Sequence, residues 1–172
     1  MKQVLWAMAL LAAAPVGAEE STPVPENVRR LEGCWRGTGT VMDKPVTIVL
    51  VVHPVVLGAM IAVDADSVAT ADPDDRYAAH LLLGGGKDAA AVTGFWSDSF
   101  GGTMTATGSG TVRPGGFDIG YRYGDATFVN RWRANGDELG WEIVARDAAG
   151  KEQPFARYAL TRAACPARDE RD

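Results

Sequence analysis

Soft and imidazole metal ligands are scarce in this chain, which has two cysteines and two histidines in 172 residues. Cys34 and Cys165 stand far apart with no Cys-x-x-Cys spacing, which excludes a zinc ribbon and a thioredoxin-type redox motif. Positive charge is also short. A formal net charge of −5 excludes a general nucleic-acid or anionic-membrane binder, since both need a basic footprint. No stretch keeps a helical apolar period for three turns, and the links between apolar segments are too short for helical crossovers. A bundle and a parallel α/β sheet are therefore both excluded. The sequence also lacks a Gly-x-Ser-x-Gly elbow, a His-Glu-x-x-His pair, a Walker loop and a Rossmann glycine pattern in a strand-helix context. What is present is ordinary for a globular chain, 47% hydrophobic and 23% charged.

The first residues read as a targeting segment. Lys2 supplies a positive start, Val4 to Ala14 an apolar stretch too short to span a bilayer, and Val16-Gly17-Ala18 a small-residue cleavage signal. Residues 1–18 are thus expected to be a signal peptide, which makes the mature protein periplasmic or secreted. No later apolar run reaches roughly 18 uninterrupted residues, so no transmembrane segment is expected in the mature chain. Val46 to Val63 comes nearest, but His53-Pro54 and Gly58 break it into two strands and a turn. Residues 19–30 read as a polar lead with room for one short helix, residues 31–165 as the folded domain, and residues 166–172 as a charged tail. Neither end is expected to bury much surface.

Twenty glycines and nine prolines punctuate the rest about every 8 to 15 residues, a spacing that signals short strands joined by turns. The expected strands lie near 34–42, 46–53, 57–63, 77–83, 90–97, 102–109, 117–123, 126–133, 138–146 and 155–162. Asn135-Gly136 reads as a type I′ hairpin turn, which needs positive φ at both central residues. Only the acidic stretch Asp64 to Asp75 reads as a long loop. A run of hairpins makes an antiparallel meander, and closing it into an up-and-down barrel removes both edges. With an even strand count the first and last strands become antiparallel neighbours. Cys34 opens the first and Cys165 follows the last, so a Cys34–Cys165 disulfide and the closed barrel imply each other.

Leu31-Glu32-Gly33-Cys34-Trp35-Arg36-Gly37-Thr38-Gly39 resembles the Gly-x-Trp opening of the calycins, the superfamily of lipocalins and fatty-acid-binding proteins. Tyr158-Ala159-Leu160-Thr161-Arg162 is similar to their closing strand, and Gly94-Phe95-Trp96-Ser97-Asp98-Ser99-Phe100-Gly101 with Ser109-Gly110-Thr111 to a bacterial family of calycin-like barrels of unknown function. The resemblance implies an all-β, calycin-like barrel in which Trp35 plugs the closed end and Arg162 stacks on its face. The nitrobindin-like branch opens in a similar way and binds haem through a histidine on its final strand. Here Phe155 falls at that position, and neither His53 nor His80 matches the motif, so no cofactor is expected.

The candidate site follows from the aromatic residues of the later strands. Alternation puts Phe128 and Trp132 on one face of their strand and Arg131 on the other. Trp96, Tyr121, Phe128 and Trp132 are the expected lumen residues, with Arg131 an added candidate for an anionic head group. Two readings of the arginines stay open: pairing with carboxylates outside, or one or two turned into the lumen as in fatty-acid-binding barrels. A barrel of more than eight strands encloses more volume than side chains fill, so the expected function is binding a small apolar or amphiphilic molecule. The alternatives are an enzyme using Asp98 and His80 in the same cavity, a nitrobindin-type haem barrel and a structural envelope factor. Asp98 is also placed to bond backbone amides in the turn after its strand, and Asp64, Asp66, Asp72, Asp74 and Asp75 read as a solvated acidic surface.

Overall fold

The computed structural model describes residues 22–166. The expected signal peptide and all of the charged tail but Pro166 lie outside the described residues. Ten strands follow one another: β1 (Gly33–Val41), β2 (Lys44–Val55), β3 (Met60–Ala69), β4 (Asp72–Gly85), β5 (Ala91–Asp98), β6 (Ala106–Arg113), β7 (Gly116–Tyr123), β8 (Ala126–Asn135), β9 (Glu138–Arg146) and β10 (Glu152–Ala163). Each pairs antiparallel with the next, and β10 returns to β1 to close the barrel. The fold is an all-β, calycin-like up-and-down barrel. Closure gives every strand a neighbour on both sides, although residues 72–78 of β4 extend beyond the ladder with β5.

Across the closing ladder Cys34 pairs with Ala163 and Trp35 with Arg162. Cys34 and Cys165 form a disulfide with their Cα atoms 5.1 Å apart. Trp35 is fully buried, and its indole Nε1 donates to Leu31 O at 2.7 Å. The Arg162 guanidinium lies 4.2 Å over the ring while Nη1 donates to Glu32 O at 2.9 Å, so one side chain covers the indole and ties down the entering chain.

Several elements differ from the sequence expectation. The lead is partly core: α1 (Glu26–Arg29) is one turn of helix across the barrel's end, with Val24, Val28 and Leu31 buried. Asn27 Nδ2 fastens that turn to Arg113 O and Gly116 O, both at 2.8 Å. The chain here is short and polar in composition, but its valines fall on the side that meets the lumen. The acidic stretch is not a loop either. β3 and β4 run through it to a turn at residues 70–71, because Asp64 and Asp66 alternate outward into water while Ala65 and Ser67 point inward. β2 likewise continues through His53 and Pro54 to Val55. β6 begins four residues later than expected, because Gly102–Met104 forms a single 3-10 turn.

Of the hairpins, β8–β9 closes over Gly136 and Asp137, with Asn135 still paired to Glu138. Only Gly136 has positive φ, 59°, a glycine-first turn in place of the expected type I′ turn centred on Asn135-Gly136. β1–β2 shows the two-residue pattern instead: Met42 at φ 48° and Asp43 at φ 65°.

The lower half of the barrel, toward α1, is solid. Trp35, Ile48, Leu50, Ile61, Leu81 and Leu83 are buried there with Phe117 and Ile119. The upper half, where β1–β2, β3–β4, β5–β6, β7–β8 and β9–β10 connect, is not filled.

Candidate functional site

That upper half holds a cavity of about 350 Å³. Its walls come from the inward parity of each strand: Tyr77 on β4, Trp96 and Asp98 on β5, Tyr121 and Tyr123 on β7, Phe128 and Asn130 on β8, Trp141 and Ile143 on β9, and Phe155 and Tyr158 on β10. Met42, Phe100 and Met104 form an exposed apolar rim. The aromatic rings touch in series. Trp96 meets the Tyr121 edge at 5.4 Å and Trp141 at 6.1 Å, Trp141 meets Tyr158 at 5.0 Å, and Phe128 lies edge-on to Phe155 at 5.0 Å. Rings offset in this way bring electron-rich faces and electropositive edges together.

Polar groups are few and specifically held. Asn130 is buried; its Oδ1 accepts from Trp141 Nε1 at 2.9 Å and its Nδ2 donates to Phe128 O at 3.3 Å. Asp98 Oδ2 accepts from Tyr77 Oη and from Trp96 Nε1, both at 3.1 Å, and its Oδ1 accepts from Phe100 N at 3.0 Å. The expected turn-capping bond is thus present, and the same carboxylate also faces the cavity. Burial, and then the neighbouring Asp98 charge, push the Tyr77 hydroxyl far above the ordinary tyrosine value. Burial raises Tyr121 strongly and takes Tyr123 and Tyr158 up to about 12.

Of the sequence candidates, Trp96, Tyr121 and Phe128 line the cavity together. Trp132 does not line it: it lies stacked between Phe117 at 6.1 Å and Trp141 at 4.2 Å and supports the wall from behind. Arg131 is on the outer surface. Its Nη1 donates to Glu142 at 3.2 Å and its Nη2 to Glu152 at 2.7 Å, and Arg146 and Arg157 share the same two carboxylates. The Glu152 bond holds the Arg131 guanidinium above its ordinary value, and Arg131 in turn holds Glu152 below its own. No arginine lines the cavity among the described residues, so the inward reading of the arginines is replaced by an outer network across β8, β9 and β10.

His80 and Asp98 do not meet in the cavity, although both border a shallow groove on the outer wall. His80 faces outward, with Nδ1 2.6 Å from Asp64 Oδ1, and His53 lies on the same outer patch with Nδ1 3.9 Å from Asp64 Oδ2. Phe155, at the β10 bulge opposite β9, turns its ring into the cavity. The lumen therefore presents no imidazole to a haem iron, and the residues present do not fit nitrobindin-type ligation. Sequence reading passed over Tyr77, Trp141 and Tyr158 as site residues. The signal was there in the two-residue steps Tyr77, Ala79, Leu81 and Trp96, Asp98.

No family model matches the chain, and no curated protein matches it. Among solved structures it is similar to Rv2717c from M. tuberculosis, with a TM-score of 0.62 at 16% identity, covering 81% of this chain and 99% of that one. It is also similar to the S-type phycobiliprotein lyase CPES from Guillardia theta, with a TM-score of 0.56 at 15% identity, covering 81% of this chain and 92% of the other. At these identities the likeness is one of fold, a calycin-like barrel.

Proposed function

We propose that this protein is an exported carrier that holds a small apolar or amphiphilic molecule in the open half of its barrel. The observation that carries the reading is the aromatic cavity of about 350 Å³ above a solid floor. Pockets of that size, apolar with a few placed polar groups, are the usual form of small-molecule sites. A barrel of the same fold in a phycobiliprotein lyase adds support for a ligand-holding lumen and carries no identity of ligand. Support for export comes from the signal-like first residues and from the Cys34–Cys165 disulfide, a bond that persists in oxidising compartments.

Titration with N-phenyl-1-naphthylamine, an uncharged apolar fluorophore, tests the reading. Binding should be saturable, with one site per chain, and should quench emission from Trp96 and Trp141. Phe128→Ala should weaken it. Absence of saturable binding by the folded protein would defeat the carrier reading.

A further inference from the structure

The charges on the cavity wall do not cancel. Its charged residues are Lys44, Asp75 and Asp98. Lys44 Nζ is already paired with Asp75 Oδ2 at 3.1 Å. Among the described residues no cation lies within ion-pair distance of Asp98. All three of its contacts, Tyr77 Oη, Trp96 Nε1 and Phe100 N, are neutral donors. They orient the carboxylate without neutralising it. An ionised carboxylate has about four acceptor sites, and Oδ1 uses one of them on Phe100. Asp98 is only half-buried, at the mouth of a largely apolar chamber. The same negative field reaches the Tyr77 and Tyr123 hydroxyls, for which it is the second cause after burial of their raised values.

The surroundings of this carboxylate are aromatic, and it is held by the in-plane N–H and O–H of two of the rings. Trp96 and Tyr77 hold it directly, and Phe100, the residue whose amide it accepts from, lies 5.7 Å from Tyr77. Aromatic faces attract cations, and a carboxylate beside them adds a charge-assisted partner. An anionic head group would instead meet Asp98 as a like charge, and no arginine lines the cavity to offset it. We infer that the cavity selects a cationic amphiphile, with an ammonium or quaternary nitrogen set against Asp98, Trp96 and Tyr77 and an apolar body among Phe128, Trp141 and Phe155. This rests on the carrier reading and names the ligand class for it.

One apolar body with different head groups tests the inference: decyltrimethylammonium, decylammonium, decanol and decanoate, each displacing N-phenyl-1-naphthylamine from the intact protein. Both cations should bind about tenfold or more tighter than decanol, the gain expected of a charge-assisted contact, and decanoate should bind weakest. Asp98→Asn should bring the cations to the level that decanol shows in the same variant, whereas Asp98→Glu should retain the preference. If Asp98→Asn does not fold, as judged by near-ultraviolet circular dichroism, the order of head groups on the unmodified protein decides alone. Binding of the fluorophore and decanol with no advantage for the cations, or an advantage that survives in Asp98→Asn, would overturn the inference and leave the carrier reading standing. Failure of the fluorophore itself to bind would remove both.

Discussion

Gly108 on β6 is the ladder partner of Tyr121 on β7, and a β-carbon at Gly108 would stand 2.6 Å from the Tyr121 ring. On the next strand Gly94 pairs with Gly108, and a β-carbon there would stand 2.5 Å from the Tyr121 hydroxyl. Two glycines thus make the groove in which the tyrosine lies against the barrel wall. Gly108→Ala should therefore destabilise by about 1–3 kcal/mol through overpacking. Tyr121→Ala in the same chain should relieve that strain, giving a coupling on the order of 1 kcal/mol in a urea-denaturation double-mutant cycle. Strict additivity of the two changes would contradict the contact.

The Tyr121 hydroxyl is buried and has no hydrogen-bond partner among the described residues. Removing an unpaired buried hydroxyl relieves its desolvation penalty. Tyr121→Phe should be neutral or stabilising, whereas Tyr77→Phe, which removes a donor from Asp98, should destabilise by about 1 kcal/mol. Equal losses in both variants on urea denaturation would argue against this assignment.

All four tyrosines of the chain, Tyr77, Tyr121, Tyr123 and Tyr158, line the cavity, and each is raised above its ordinary value of 10.0. The unfolded chain therefore loses its phenolic protons first. Their contribution to stability is complete below pH 10 and disappears as pH rises through about 12, where Tyr123 and Tyr158 ionise in the fold. Phenolate absorbance at 295 nm should stay flat through pH 10 and then rise together with the loss of near-ultraviolet circular dichroism. A normal titration centred at pH 10 in the folded protein would show these rings to be solvated.

The disulfide joins residues 131 apart in sequence, at the seam where β1 meets β10. Constraining so long a loop in the unfolded chain stabilises by about 4–5 kcal/mol on the chain-entropy model. Replacing both Cys34 and Cys165 with Ser should lower Tm by on the order of 10 °C for a domain of this size. Because the ladder itself closes the barrel, the far-ultraviolet spectrum should be retained below the transition. An unchanged Tm would mean that the unfolded chain is already restrained near the seam.

Haemin offers a check on the lumen chemistry. With both histidines on the outer wall at Asp64 and Phe155 facing the cavity, haemin should give no stoichiometric Soret band. If weak absorbance arises at the surface, His80→Ala should abolish it without altering binding of an uncharged probe in the cavity. A sharp band that persists in His80→Ala and His53→Ala would require a different ligand.

Much of the architecture was legible because barrels are built from local rules. Turn residues marked the hairpins, and two-residue alternation assigned faces: Phe128 and Trp132 inward, Arg131 outward. Even parity placed Cys34 beside Cys165. The misread stretches share one cause. Asp64 to Asp75 is acidic because its outward positions meet water, and composition alone made two strand ends look like a loop. Val24 and Val28 sit in a polar segment, and only the shape of the barrel end turns them into a plug.

The sequence by itself determined the strand count, the order of pairing, the seam and the inward parity, since each depends on neighbours in the chain or on an even count. Only the tertiary structure decided depth. Trp132 and Trp141 are register partners, yet Trp141 lines the cavity and Trp132 is sealed behind it. Strands tilt against a barrel's axis, so directly opposed residues stand at different heights. The height of a side chain depends on how all ten ladders stagger together. The same closure brought Asp98, Tyr77, Trp96 and Phe155 from three strands to one mouth, a meeting that no local pattern records.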